Sequence, residues 1–135
     1  MRFTSLFFAA VCAFGASTTQ VLPQLPVRFE NPSGTRWSAR GLGYSLAFAA
    51  DATIFHLGER TLAMRLVGAD PAAAFEAISP YSVPTQYFTP VSQGPVQSYR
   101  RLRRVQVYPG INVVFYGTGG NLEYDFVVAP GADPR

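Results

Sequence analysis

The sequence predicts an all-β fold, an antiparallel β-sandwich or a strongly bent sheet of short strands. Three observations predict it. Short runs with period-two alternation recur along the chain, each bounded by Gly, Pro, Asn or Asp. Charged residues are only 14% of the 135, too few for the charged solvent faces that a helical bundle needs. The stretch from Val107 to Pro134, VYPGINVVFYGTGGNLEYDFVVAPGADP, holds two β-patterned runs around a Gly-rich turn, with a Pro-Gly corner at each end.

The elements follow in order. Residues 18–26 form a Pro-punctuated, extended lead-in, and a single domain is expected over residues 27–135. Val27–Glu30 alternates apolar and polar, and Arg36–Arg40 carries the only Trp, Trp37. Gly41-Leu42-Gly43 turns the chain into Tyr44–Ala49, with Tyr44, Leu46 and Phe48 on one face. Thr53–Leu57 follows, then a loop at Gly58-Glu59-Arg60, then a strand over Thr61–Gly68 with Leu62, Met64 and Leu66 on one face. Asp70-Pro71 and three alanines also suit a short helix start. Pro80 closes that stretch early, so a turn and a strand over Phe75–Ser79 are preferred.

Pro84, Pro90 and Pro95 make Tyr81–Val96 a surface loop, with Tyr81, Tyr87 and Phe88 as aromatic anchors. Gln97–Val107 is a long basic strand. Asn112–Tyr116 and Leu122–Val128 pair across a five-residue loop, Gly117–Asn121. No repeat of fixed period is present.

The N-terminus bears on compartment. Arg2, the apolar run Leu6–Phe14 and the small residues Gly15, Ala16 and Ser17 make a secretory signal-peptide pattern over residues 1–17. The apolar run is too short for a comfortable membrane span, so an integral membrane protein is not expected. Cys12, the only cysteine, lies inside it, behind a poor lipoprotein box. Its removal leaves no thiol for a disulfide, for catalysis or for zinc.

Several phrases occur together: LPVRFE, the ARG-x-GYSL run at Ala39–Leu46, LAMRLVGADP at Leu62–Pro71, VYPGI at Val107–Ile111 and LEYDFVVAPGADP at Leu122–Pro134. As a set they resemble an uncharacterised secreted bacterial β-domain that commonly precedes SBBP-type β-propeller repeats. The resemblance covers nearly the whole chain after the signal. It implies a secreted β-domain with downstream propeller-type partners and gives no activity. The family has Asp after PGI where this chain has Asn112, so a role needing charge there does not carry over. The family also continues past the final ADP, so the domain is expected to be incomplete at its C-terminus and to have an open sheet edge.

Candidate chemistry is sparse. His56 is alone in a strand, without a second ligand or a nucleophile-elbow motif. Glu123 and Asp125, two apart on a strand, point the same way, as a calcium site or an acid/base pair requires. A solvated face paired with arginines is the simpler reading. In the run Arg100–Arg104, Arg101 and Arg103 face one way, and Arg100, Leu102 and Arg104 the other. One set can hold carboxylates or phosphates, or simply neutralise Glu123 and Asp125 while the other lies in water. Trp37 and Tyr116 belong to an aromatic set able to stack on sugar rings.

The residues singled out for binding are therefore Arg101, Arg103, Glu123, Asp125, Tyr116 and Trp37. No catalytic residue, metal site or cofactor is expected. The modest net charge of +3, with four arginines gathered in the run Arg100–Arg104, and a Gly pattern unlike a nucleotide loop argue against nucleic acid and nucleotides. The expectation is a non-catalytic extracytoplasmic interaction module, the N-terminal part of a larger secreted or surface protein. A polysaccharide-binding module is the alternative, and a secreted glycoside hydrolase comes last.

Overall fold

Nine antiparallel strands account for the regular structure, and no helix occurs among the described residues. The computed structural model describes residues 25–88 and 94–134; the expected signal peptide lies outside them. The strands are β1 (Arg28–Glu30), β2 (Trp37–Gly41), β3 (Tyr44–Phe48), β4 (Thr53–Leu57), β5 (Arg60–Met64), β6 (Phe75–Pro80), β7 (Ser98–Tyr108), β8 (Ile111–Thr118) and β9 (Asn121–Val128). They form one curled, open sheet in the order β5-β4-β3-β2-β1-β7-β8-β9, with β6 on the other side of β7. Of the two all-β forms expected, this is the strongly bent sheet.

The curl originates at β7. Arg101 lies between Ile78 of β6 and Tyr116 of β8, while Tyr99 lies between Pro80 of β6 and Phe29 of β1. Strands β8 and β1 therefore share the same edge of β7, one after the other. By alternation Tyr99 is on the face of Arg101 and Arg103, yet its partner Phe29 is fully buried with Leu102 from the opposite face. The two halves leave one edge at different angles, as a wall and a floor. The core fills the corner between opposite faces of the same sheet.

That corner is aromatic. Phe48 of β3 meets Phe115 of β8 with ring centroids 5.0 Å apart, and meets Phe29 and Phe75 at 5.9 Å. Val27, Leu46, Leu102, Val107 and Val113 close around them. Where the halves meet, a Cβ on Gly117 would lie 2.6 Å from the Val27 Cβ, so β8 and the start of β1 need the missing side chain. Tyr44 crosses over Gly41 and donates from its hydroxyl to the Gly120 carbonyl at 2.9 Å, pinning β3 to the β8–β9 turn.

Several local expectations are corrected. The β8–β9 connection is a two-residue turn, Gly119-Gly120, and both glycines have positive φ, as a type I′ turn demands. The strand expected over Thr61–Gly68 stops at Met64, and Leu66 begins a turn. Phe88 is 94% exposed and anchors nothing, whereas Tyr81 and Tyr87 are half-buried. Phe75 does open a strand. The Asp70 carboxylate accepts from the Ala72 N–H at 2.8 Å and closes a turn, not a helix start. A bulge interrupts β7 between Arg104 and Tyr108. There Gln106 takes a φ of 50°, and its N–H donates to the Asn112 Oδ1 at 2.7 Å. Asn112 thus has a structural task that requires an acceptor and no charge.

Candidate functional site

Pairing across β6, β7, β8 and β9 carries five of the six predicted residues onto one outer face. One row reads Ile78, Arg101, Tyr116, Glu123, and the next reads Glu76, Arg103, Val114, Asp125. Arg103 grips Glu76 directly opposite, with Nη2–Oε2 2.5 Å and Nε–Oε2 3.1 Å. Arg101 lies over the Tyr116 ring, 5.7 Å from its centroid. Hydrogen bonding to Asp125, with the charges of Asp125 and Glu123 beside it, raises the Tyr116 phenol above its ordinary pKa. The acidic pair is thus met by Tyr116; of the two arginines on this face, Arg103 is engaged by Glu76 and Arg101 lies over the Tyr116 ring. Glu76, Arg101, Glu123 and Asp125 are exposed and Arg103 and Tyr116 are partly so, so water screens these contacts.

Trp37 is elsewhere. It stands edge-on to Tyr99, with centroids 5.8 Å apart, and lines a cavity of about 360 Å³ with Arg36, Phe48 and Phe75. The other arginine set divides. Arg100 is exposed, but Arg104 is 5% exposed, so the expectation that this set lies in water fails for Arg104. Its Nη2 donates to the carbonyls of Ala50 and Asp70, its ring neighbour is Phe75 at 5.4 Å, and its Nε has no partner. Burial pulls the Arg104 pKa down. Arg104 ties two loops to β7 and offers nothing to a ligand.

A second cluster lies on the outer face of β1 and β2, under the segment Tyr81–Tyr87. Arg28 and Arg40 are directly opposed cross-strand partners. Two residues along, the buried Glu30 accepts a hydrogen bond from the Tyr87 hydroxyl. Arg28 Nη1 donates to the buried Ser98 Oγ at 3.2 Å, and Thr85 donates to the same oxygen at 3.3 Å. The Tyr81 ring lies 4.2 Å from the Arg28 guanidinium and 4.1 Å from that of Arg100, while Arg40 sits 5.7 Å from the Tyr87 ring. Of these, Arg28, Glu30, Arg40, Thr85 and Tyr87 border a cavity of about 260 Å³, walled by Leu25, Pro26 and Leu42. Sequence reading missed the cluster. Alternation alone places Arg28, Glu30, Ser38 and Arg40 on one face, but nothing in the sequence says that loop tyrosines fold over them.

Besides β6, which pairs only with β7, the sheet has edges at β5 and β9, and these two differ. β5 is five residues long and bracketed by Arg60 and Arg65, with Arg65 held 3.5 Å from Asp51. β9 is eight residues long, without proline or bulge, and its register with β8 is unbroken from Asn121 to Val128. Tyr124 and Phe126, in edge contact at 6.0 Å, and Val128 stay more than 40% exposed on its inner face. Glu123 and Asp125 mark its outer face.

Among the described residues no group of three or more His, Cys, Asp and Glu is placed to hold a metal ion, and no helix is long and apolar enough to cross a membrane. No curated protein and no solved structure matches the chain. One family model, a domain of unknown function, matches residues 28–135, which span every strand described above. The chain therefore belongs to the DUF7948 family of domains of unknown function.

Proposed function

We propose that this domain is a non-catalytic interaction module in a larger extracytoplasmic protein, and that β9 is its point of attachment. The observation that carries the reading is the unprotected β9 edge. Sheets normally blunt an edge by shortening it, bulging it or placing Pro or charge along it. The β5 edge is short, whereas β9 is long, unbulged and without proline, and its charges, Glu123 and Asp125, lie on its outer face only. A strand added to β9 would satisfy its free backbone groups and cover Tyr124, Phe126 and Val128. Its chemistry follows from the two faces: apolar residues toward the core side, alternating with basic or polar residues opposite Glu123 and Asp125. A downstream domain of the same polypeptide, of propeller-repeat type, is the proposed donor. The non-catalytic half of the reading is supported by the placement of Glu123 and Asp125. They stand on an open face and border neither cavity described above.

Amide hydrogen exchange tests this. In the domain alone the β9 amides facing the edge should exchange rapidly. In protein extended with its downstream sequence they should slow at least tenfold, and Asp125→Lys should reverse part of that slowing. Equal exchange in both proteins would sink the proposal. Protection supplied by a separate added protein, with none from the extension, would replace the donor.

A further inference from the structure

We propose that the cleft between Arg28 and Arg40, beneath Tyr87, is a binding site for the carboxylate of a small acidic ligand. The inference is independent of strand addition at β9, because the cleft lies on the other half of the sheet.

The first argument is the cross-strand pairing. Like charges directly opposite on neighbouring strands destabilise a sheet, and opposite charges stabilise it. The favourable arrangement appears between Glu76 and Arg103 on β6 and β7. On β1 and β2 two arginines are opposed instead. Among the described residues the ion pairs are Arg65–Asp51 and Arg103–Glu76, so neither Arg28 nor Arg40 has a carboxylate within 4.0 Å. Glu30 shares their face, but its Oε2 is taken by Tyr87. With Arg100 against Tyr81, the cluster holds three arginines and one acid.

The second argument is preorganisation. Arg28 is held by Ser98 and Tyr81, and Arg40 is placed against Tyr87. Cations clasped by aromatic rings are partly fixed before a ligand arrives, which lowers the ordering cost of binding. A guanidinium fork matches a planar carboxylate in two parallel hydrogen bonds. The charged side chains that line the cleft are Arg28, Arg40 and Glu30, two cations and one acid, so a single carboxylate balances the charge. Size sets the rest. A cavity of about 260 Å³ falls below the roughly 300–1,000 Å³ of sites for drug-sized molecules. The occupant is a single compact acid, its body lying against Leu25, Pro26 and Leu42.

Calorimetric titration of the full chain at low salt tests the site. The probes are glucuronate and galacturonate for a hydroxylated body, benzoate for an apolar one, inorganic phosphate, and uncharged methyl glucoside. At least one monocarboxylate should bind saturably at one site, more tightly than phosphate, and methyl glucoside should not bind. Arg40→Gln and Arg28→Gln should each weaken that binding about tenfold or more, the loss of a charge-assisted contact. Arg65→Gln, at the far edge, should leave it unchanged. Arg40 is exposed, so its variant keeps the fold and decides the question even if the Arg28 variant unfolds. Unchanged affinity in Arg40→Gln, equal weakening by Arg65→Gln, tighter phosphate binding, or no saturable carboxylate binding overturns the proposal.

Discussion

Tyr87 is the residue on which the outer cluster turns. Burial first, and then its hydrogen bond to Glu30, push its phenol from 10.0 up to about 12. An unfolded chain loses that proton near pH 10, while the folded chain keeps it to about pH 12. The stability from this difference is complete below pH 10 and is lost as pH rises through about 12. Urea midpoints measured across that window should fall with pH in the native chain and fall less steeply in Tyr87→Phe. Tyr44 and Tyr116 are also raised, so some slope will remain. Single residues also mark the limit of reading by alternation. The run Arg100–Arg104 sorts correctly into two faces, yet alternation cannot say that Arg104 is covered by the loops at Ala50 and Asp70. Those loops arrive from 54 and 34 residues away, and no local pattern encodes them.

At the level of elements, the decisive contact is between the start of β1 and the end of β8. Gly117 leaves room there for Val27, which is 2% exposed. Gly117→Ala forces a methyl group against the Val27 Cβ and backbone N, and should destabilise the domain by about 1–3 kcal/mol in urea titration. The strands themselves were legible from sequence. Period-two alternation and Gly or Asn punctuation located all nine within a few residues, because both are local consequences of the pleat and of turn geometry. Strand ends were less legible. Leu66 continues the alternation of β5, but the chain turns there because Tyr108 donates to the Val67 carbonyl and Ala69 to that of Leu66. The outer row of Arg101, Arg103, Tyr116, Glu123 and Asp125 was predictable as a shared face. The engagement of Arg103 by Glu76 was not, since it required knowing that β6 lies beside β7.

On the scale of the whole molecule, every strand pairing but one joins neighbours in sequence. β1 to β5 form one meander and β6 to β9 another. The exception is the seam of Phe29 with Tyr99 and Glu30 with Ser98, residues 70 and 68 apart in the chain. The shared edge of β7 therefore has a consequence in time. Local hairpins close in microseconds, whereas the seam must first meet the entropy of a long loop. The two meanders should form early and the seam last. In stopped-flow experiments Val113→Ala, inside the second meander, should slow refolding, whereas Gly117→Ala at the seam should chiefly speed unfolding. Equal effects of both on refolding would mean that the seam is already closed in the transition state. Opening then begins by parting two pairs of residues, and the chain passes through a state of two intact meanders joined by the β5–β6 connection, residues 65–74.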